Sequence, residues 1–140
     1  MLRPVHRVAW AILVDSSGRL LLQLRDGGAV KDPHRWGPPG GRVEPGEEPH
    51  DAAVRELEEE TGLRADRLEL FWSGPALSDA TVFYFYCGAT TATQPEVRCY
   101  EGAAMEFVDA ALTSDLDLTQ AFSMIFIRFI SSPQYAALCS

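Results

Sequence analysis

The sequence has few cysteines, no long hydrophobic run and a shortage of positive charge, and each of these absences excludes a class of protein. The three cysteines, Cys87, Cys99 and Cys139, are odd in number and far apart, which argues against a disulfide framework and against a zinc site. They predict reduced thiols and a cytoplasmic location. The apolar segments Val8–Val14 and Ala121–Ile130 are too short to cross a bilayer, so no membrane partner is expected.

The charge balance is acidic, with 12 Lys and Arg against 20 Asp and Glu and a formal net charge of -8. A general nucleic-acid binder needs a basic face, so this balance argues against one. A small phosphorylated ligand stays compatible with it, because a few local arginines and a bound metal can reverse the sign of one pocket. The length of 140 residues and the hydrophobic content of 46% predict one domain over residues 1–140.

Hydrophobic periodicity and turn residues predict the order of the elements. A glycine- and proline-rich stretch with few apolar residues, Asp26–Gly41, predicts a functional loop. Strands on both sides of a central helix, with a second helix near the end, predict an α+β domain built as a mixed-sheet sandwich. The predicted strands are Val5–Val14, Leu20–Leu24, Leu68–Trp72, Thr81–Ala89 and Glu106–Val108, and the predicted helices are Pro49–Thr61 and Leu118–Ile130.

The most informative stretch runs from Gly41 to Leu63 and contains eight Asp or Glu side chains. Pro49 suits the first position of a helix, and Gly62 suits the left-handed residue just past its end. Acidic side chains in the last turn oppose the helix dipole and so destabilise the helix, which indicates a compensating interaction. A cation among the carboxylates would supply that interaction.

Three glutamates of this helix share one face. At about 100° per residue, Glu56, Glu59 and Glu60 fall within one narrow arc. Glu56 and Glu60 are four residues apart, and an uncompensated like-charged pair costs about 0.2–0.5 kcal/mol. Because carboxylate oxygens suit Mg²⁺ and Mn²⁺, the arc predicts a divalent metal site. Arg55 is spaced to orient the Glu59 carboxylate, and Glu47, just before the helix, can reach the same end of the site.

The turn Pro38–Gly41 precedes the acidic helix. Its two glycines let the backbone pass close to a ligand or metal and let carbonyl groups point inward. A carboxylate beyond those needed for coordination can act as a general base on water. Several Mg²⁺ ions suit a diphosphate, whose charge they neutralise. The residues alone therefore predict metal-assisted hydrolysis of a small phosphorylated substrate.

The same stretch resembles the signature of the Nudix hydrolases. Gly41, five residues, Glu47, seven residues and then Arg55–Leu63 match that signature at all nine fixed positions. The resemblance implies an α/β/α sandwich and metal-dependent cleavage of a nucleoside diphosphate linked to another group, with one glutamate as the base. The metal ligands that it implies are Glu56, Glu59, Glu60 and the carbonyl of Gly41, with Glu47 as a structural or outer ligand.

A second acidic segment resembles another part of this family. The stretch Glu101–Val108 is similar to the segment that often supplies one more glutamate to the site. Its spacing favours Glu101 over Glu106 as a metal ligand or base, and an ordinary loop glutamate is the alternative for Glu101. Pro38 departs from the family pattern, which has an aliphatic residue before Pro-Gly-Gly, but it occupies no ligand position.

Substrate contacts are predicted around the metal site. Arg25 and Arg42 flank it and could contact phosphate, with a surface salt bridge as the alternative for each. Trp36, Phe83 and Tyr84 could stack on a base, with core packing as the alternative for each. No motif is readable in the loops expected to select the substrate, which are Asp26–Trp36, Ser73–Ala80 and Ala89–Tyr100.

Besides a purely structural acidic domain, three functions stay open at the level of sequence, all with a nucleotide-type small molecule as partner. The first is hydrolysis of a nucleoside diphosphate linked to another group. The second is a house-cleaning hydrolase of oxidised or non-canonical nucleoside triphosphates. The third, a Nudix-fold module that binds a nucleotide without cleaving it, is disfavoured because every metal carboxylate is retained. The apolar stripe Phe122, Ile125, Phe126 and Phe129 predicts either core packing or the contact of a homodimer.

Overall fold

The structure, a computed structural model, describes residues 6–65, 67–77 and 79–140. Val5, the first residue of the predicted strand Val5–Val14, and residue 78 in the predicted loop Ser73–Ala80 lie outside these ranges. Within them, no helix is both long enough and apolar enough to cross a membrane. The strands are β1 (Arg7–Val14), β2 (Leu20–Leu24), β3 (Trp36–Gly37), β4 (Gly40–Arg42), β5 (Glu69–Pro75), β6 (Val82–Ala89) and β7 (Ala104–Val108), and the helices are α1 (Pro49–Thr61), α2 (Ala110–Thr113), α3 (Gln120–Ile130) and α4 (Pro133–Leu138).

The sheet is mixed, as the sequence predicts. Its strand order is β3-β2-β1-β6-β5, with β4 paired to β1 and β7 paired to β2. β1 runs parallel to β6 along its whole length and antiparallel to β2 and β4. β5 is antiparallel to β6, and β7 is antiparallel to β2. β1 therefore lies in the middle of the sheet, which explains why its sequence is almost continuously apolar.

Helices cover both faces of the sheet. Because successive side chains of a strand point to opposite faces, Ala11 and Leu13 of β1 pack on one side with Leu57 of α1. The buried cluster on the other side joins β1 and α3 through Ile12, Val14, Phe122, Ile125, Phe126 and Phe129. The predicted α/β/α sandwich is therefore confirmed.

Helix α1 begins and ends at the predicted residues. Pro49 is its first residue, where the missing N–H costs no helical hydrogen bond. Gly62 follows the helix with φ 77°, and its N–H donates to the carbonyl of Glu58 at 2.9 Å. Glycine adopts this left-handed conformation without steric cost. The proline and the glycine at its two ends thus set the bounds of α1 and therefore the positions of its glutamates.

The predicted loop Asp26–Gly41 contains two short strands, β3 and β4. β3 pairs with β2, and β4 pairs with β1. Glycine supplies one of the two residues of β3 and two of the three residues of β4. Glycine has weak strand propensity, so the sequence does not predict β3 and β4. The two strands form because they pair with the longer apolar strands β2 and β1.

Other boundaries shift for local reasons. α3 begins at Gln120 and not at Leu118, because the Thr119 hydroxyl caps the helix by accepting a hydrogen bond from the Phe122 N–H at 3.3 Å. β5 continues to Pro75 through a shift in register with β6, which periodicity does not reveal. The helices α2 and α4 have four and six residues, too few to show a helical period.

The apolar stripe of α3 is part of the core. Phe122, Ile125, Phe126 and Phe129 are each at most 2% exposed, so a second copy of the chain has no access to them. Of the two alternatives for this stripe, core packing is the one observed. A homodimer stays a prediction without support from these four side chains.

Replacing Phe129 by Ala should lower the free energy of unfolding by about 3–5 kcal/mol, because it leaves a cavity in the core. The ring is fully buried, and its centroid lies 5.0 Å from that of Phe71 in β5 and 5.4 Å from that of Tyr135 in α4. Ile127→Ala on the same helix is the control, since Ile127 is 62% exposed and its loss should cost about 0.5 kcal/mol or less. Urea unfolding followed by circular dichroism measures both, and equal losses would contradict the assigned packing.

Candidate metal centre and adjoining cavity

Three glutamates converge where the last turns of α1 meet the loop before β7. Glu56 and Glu60 lie four residues apart on α1, and Glu101 lies on the loop. One carboxylate oxygen from each lies within 4.8 Å of the other two. Three like charges at this spacing repel one another, so the arrangement requires protons or a cation among them.

Glu60 is the buried member of this carboxylate cluster, with 3% of its surface exposed. Its Oε1 accepts a hydrogen bond from the Gln23 side-chain amide at 3.1 Å, and its Oε2 accepts one from the Gly40 N–H at 3.0 Å. Burial, together with the nearby carboxylates of Glu101 and Glu56, raises the pKa of Glu60 to about 10. This side chain therefore ionises at neutral pH only when a positive ion offsets the cost.

Arg55 holds the outer carboxylates with its planar guanidinium. Its Nε and Nη2 donate to the two carboxylate oxygens of Glu47 at 2.9 and 3.0 Å. Its Nη1 donates to Glu56 at 2.9 Å and to Glu59 at 3.3 Å, and Nη2 also donates to the Arg42 carbonyl at 3.1 Å. The guanidinium lowers the pKa of Glu47. This geometry can perform the orienting role predicted for Arg55.

Two of the predicted ligands stand outside the carboxylate cluster, which has three members among the described residues. The Glu59 side chain is 58% exposed, and its carboxylate contacts Arg55. Both carboxylate oxygens of Glu47 are engaged by Arg55, and the Glu44 N–H donates to one of them at 3.0 Å. The geometry thus favours a structural role for Glu47 over an outer ligand, while Glu59 as a ligand stays a prediction.

Gly41 lies directly against the Glu56 carboxylate. A Cβ atom at this position would stand 2.5 Å from Glu56 Cδ and 2.6 and 2.7 Å from its two oxygens, so any larger residue here would force the Glu56 carboxylate to move. Burial raises the pKa of Glu56. The Glu56 carboxylate and the other carboxylates of the cluster supply oxygen donors, and such donors fit a hard cation such as Mg²⁺ or Mn²⁺.

The loop that carries Glu101 is attached to the end of α1 by backbone hydrogen bonds. The Arg98 N–H donates to the Thr61 carbonyl, and the Tyr100 N–H donates to the Glu60 carbonyl, both at 2.9 Å. Carbonyls in the last turn of a helix have no intrahelical donor, so an outside segment can supply one. The bonds that complete the end of α1 therefore also bring Glu101 to the cluster.

Of the two downstream glutamates, Glu101 joins the cluster and Glu106 does not. Glu106 lies in β7 opposite Leu22 of β2, and its side chain is exposed. Gln23, which bonds to Glu60, is a residue that the sequence analysis missed. It is 5% exposed and interrupts the apolar run of β2. A polar residue in a buried strand needs a hydrogen-bond partner, and this interruption was the available signal.

A cavity of about 410 Å³ adjoins the carboxylate cluster. Gly40 and Gly41 line it, and both also touch carboxylates of the cluster. Its wall includes the rings of Trp10 and Phe83, whose centroids are 4.9 Å apart. This volume is typical of small-molecule sites. A larger cavity of about 780 Å³ lies beside α4 and borders none of the three carboxylates, so size alone does not identify the site.

The predicted substrate residues differ in their relation to this cavity. Arg25 and Arg42 both line it, as a contact to phosphate would require. Trp36 does not belong to its lining. It is half-buried, pairs with Leu118 and packs in the apolar cluster below α3, which is the core alternative. The aromatic wall of the cavity comes from Trp10 and from Phe83, which the sequence analysis also names as a stacking candidate, whereas Tyr84 is not part of the lining.

Two curated proteins show what the chain is similar to. It is 30% identical over 103 residues to the ADP-ribose pyrophosphatase of Bacillus subtilis, a match that covers 71% of this chain and 56% of that protein. It is 49% identical over 49 residues to the asymmetrical bis(5'-nucleosyl)-tetraphosphatase of Rattus norvegicus, covering 35% of this chain and 30% of that one. The chain thus spans little more than half of the first relative and about a third of the second.

A solved structure and a family model agree with these two sequence matches. The crystal structure of the MutT NUDIX hydrolase of Burkholderia pseudomallei superposes with a TM-score of 0.74 at 24% identity and covers 89% of this chain and 98% of that one, which shows a shared fold. The family model of the NUDIX domain matches residues 4–120, a span that contains the acidic helix and the whole carboxylate cluster. This chain therefore belongs to the NUDIX domain family.

Proposed function

We propose that this chain is a metal-dependent pyrophosphohydrolase that cleaves the diphosphate of a nucleoside diphosphate linked to another group. The observation that carries the proposal is the convergence of Glu56, Glu60 and Glu101 beside a cavity of small-molecule size. Family membership supports the reaction class. The name of the Bacillus subtilis relative supports the substrate class, because ADP-ribose is a nucleoside diphosphate linked to a sugar.

The proposed cofactor is Mg²⁺ or Mn²⁺, which the family generally requires and which the oxygen donors present would hold. Its ligands would be the three clustered carboxylates, with Glu59 and the Gly41 carbonyl as the further ligands that the signature implies. When bound, such ions polarise phosphoryl oxygens and lower the pKa of water. The Gln23 amide and the Gly40 N–H keep the two oxygens of Glu60 in fixed directions.

A proton must leave the attacking water, and the carboxylate that accepts it needs an oxygen that is free to reach that water. Glu101 and Glu59 are both exposed. Glu60 is buried, and both its oxygens already accept hydrogen bonds. We therefore assign the general base to an Oε atom of Glu101 or Glu59. Arg55 orients Glu59 for either role, as ligand or as base.

The cavity would bind the nucleotide portion of the substrate. Arg25 and Arg42 would contact the diphosphate, because a guanidinium matches phosphate oxygens in shape and charge. The net charge of the chain is -8, so these two arginines and the cation must reverse its sign locally. The rings of Trp10 and Phe83 offer apolar faces for a base. A nucleotide-type small molecule is thus the proposed partner.

An activity screen tests the reaction and the substrate class together. We expect ADP-ribose or a nucleotide sugar to yield a nucleoside monophosphate in the presence of Mg²⁺, and EDTA to abolish the product. Preferred turnover of oxidised nucleoside triphosphates would overturn the substrate class and favour a house-cleaning role. Saturable nucleotide binding without any product would overturn the enzymatic proposal and favour a binding module.

Glu60→Gln should lower kcat by about 100-fold or more. Loss of a residue that only hydrogen-bonds to a metal ligand costs about 10–100-fold in activity, and loss of the ligand itself should cost more. Glu59→Gln should act in the same direction if Glu59 binds the cation or the proton. Glu58→Gln is the matched control, because Glu58 lies on the same helix, is exposed and pairs with Arg64 at 3.3 Å. Turnover like that of the unaltered protein in Glu60→Gln would contradict the assigned ligand.

Mg²⁺ should raise the melting temperature, because a ligand that binds only the native state stabilises it by about 2.7 kcal/mol at 100 times its Kd. The rise should disappear on adding EDTA and should be absent in Glu60→Gln. Thermal unfolding with and without Mg²⁺ measures it, and Glu58→Gln should respond as the unaltered protein does. An identical response in Glu60→Gln would place the cation elsewhere.

Phe83→Ala should raise KM about 5- to 150-fold while changing kcat little, because stacking of a base on an aromatic ring is worth about 1–3 kcal/mol. The lost contact exists in both the bound substrate and the transition state, which is why KM carries the effect. Tyr100→Ala is the control, since Tyr100 is 67% exposed and is not among the residues that line the cavity. Equal KM values for the two variants would remove Phe83 from the substrate site.

A further inference from the structure

Gln23 is a buried amide in a position that the fold would otherwise fill with an apolar side chain. It follows Leu20–Leu22 of β2, which are fully buried, and is itself 5% exposed. A buried amide that lacks hydrogen bonds costs about 1–3 kcal/mol in proteins. Its presence in this strand therefore needs a reason in the contacts of its side chain.

The Gln23 side-chain nitrogen bonds to two residues of the carboxylate cluster, Glu60 and Glu101. Nε2 donates to Glu60 Oε1 at 3.1 Å and to the Glu101 carbonyl at 3.0 Å. These partners are 37 and 78 residues away along the chain. One amide group therefore connects the last turn of α1 with the loop before β7, across β2.

The loop before β7 is also packed tightly onto the stem of Gln23. A Cβ atom at Gly102 would lie 2.8 Å from Gln23 Cγ and 2.8 Å from the Leu24 carbonyl oxygen, and Gly102 has φ +87°. The Ala103 N–H donates to the same Leu24 carbonyl at 2.8 Å. The backbone of Glu101 thus has no room to approach β2 more closely, and the Gln23 amide keeps it from moving away.

We propose that Gln23 is a positioning residue that sets the distance between the Glu60 and Glu101 carboxylates and thereby the affinity for the divalent cation. The inference rests on the proposed function, since it assumes that these carboxylates bind a metal. Gln23 acts through the two ligands, to which its amide donates. Partners that orient metal ligands in this way are worth about 10–100-fold in metal affinity.

A matched pair of substitutions separates this role from an ordinary structural one. Gln23→Met keeps the length of the side chain and removes both donated hydrogen bonds. Gln94→Met makes the same chemical change at a glutamine whose side chain also forms two hydrogen bonds, in this case both with backbone groups. The Gln94 amide donates to the Met105 carbonyl and accepts from the Phe107 N–H, both at 2.9 Å, so its partners lie in β7 and not in the carboxylate cluster.

The readout is the Kd for Mn²⁺, measured by electron paramagnetic resonance on protein shown by circular dichroism to be folded. Gln23→Met should raise this Kd about 10- to 100-fold, while Gln94→Met should leave it unchanged. An unchanged Kd in folded Gln23→Met overturns the inference. Failure of the unaltered protein to bind Mn²⁺ overturns the proposed function instead, so the two failures are distinguishable.

A second measurement needs no substitution and covers the case in which Gln23→Met does not fold. In the unaltered protein, the side-chain amide resonances of Gln23 should shift as Mg²⁺ is added, because their acceptor, Glu60, becomes a metal ligand. The side-chain resonances of Gln94 should stay in place. Unshifted Gln23 resonances at a Mg²⁺ concentration that raises the melting temperature would overturn the inference.

Discussion

The close approach of three carboxylates is the constraint on which the rest of the structure depends. Their oxygens lie within 4.8 Å of one another, and Glu60 is buried among them. Such a group is tolerated only when fixed donors, together with protons or a cation, compensate its charge. The protein supplies the fixed donors from three separate elements, through Gln23 of β2, Gly40 of β4 and Arg55 of α1.

The donors divide the acidic residues into an inner and an outer group. Neutral amides from Gln23 and Gly40 contact the buried carboxylate of Glu60, which stays available for a cation because no positive side chain bonds to it in the described part of the chain. Arg55 instead binds Glu47 and Glu59, which lie outside the carboxylate cluster, and it contacts one cluster member, Glu56. The guanidinium therefore lies at the edge of the cluster and orients one of its carboxylates, which suits a metal site.

In the proposed function, the reaction and the choice of substrate are carried by different parts of the molecule. The carboxylates lie on α1 and on the loop before β7, whereas the adjoining cavity is lined by residues of β1, β4, β6, α3 and neighbouring loops. Gly40 and Gly41 belong to both. Loops and strand surfaces can therefore vary without disturbing the cluster, which agrees with the different substrates in the names of the two curated relatives.

Helix α1 and the predicted ligands on it are determined by the sequence alone, because proline and glycine at the helix ends and the 3.6-residue period act over short distances. Three features follow from contacts between distant residues: the short strands β3 and β4, the packing of the half-buried Trp36 and the approach of Glu101 to Glu60. Gln23 is the clearest case, since its partners lie 37 and 78 residues away. Hydrogen bonds over such separations leave no periodic trace in one sequence, so only the tertiary structure decided how the carboxylate cluster is completed and which aromatic rings line the adjoining cavity.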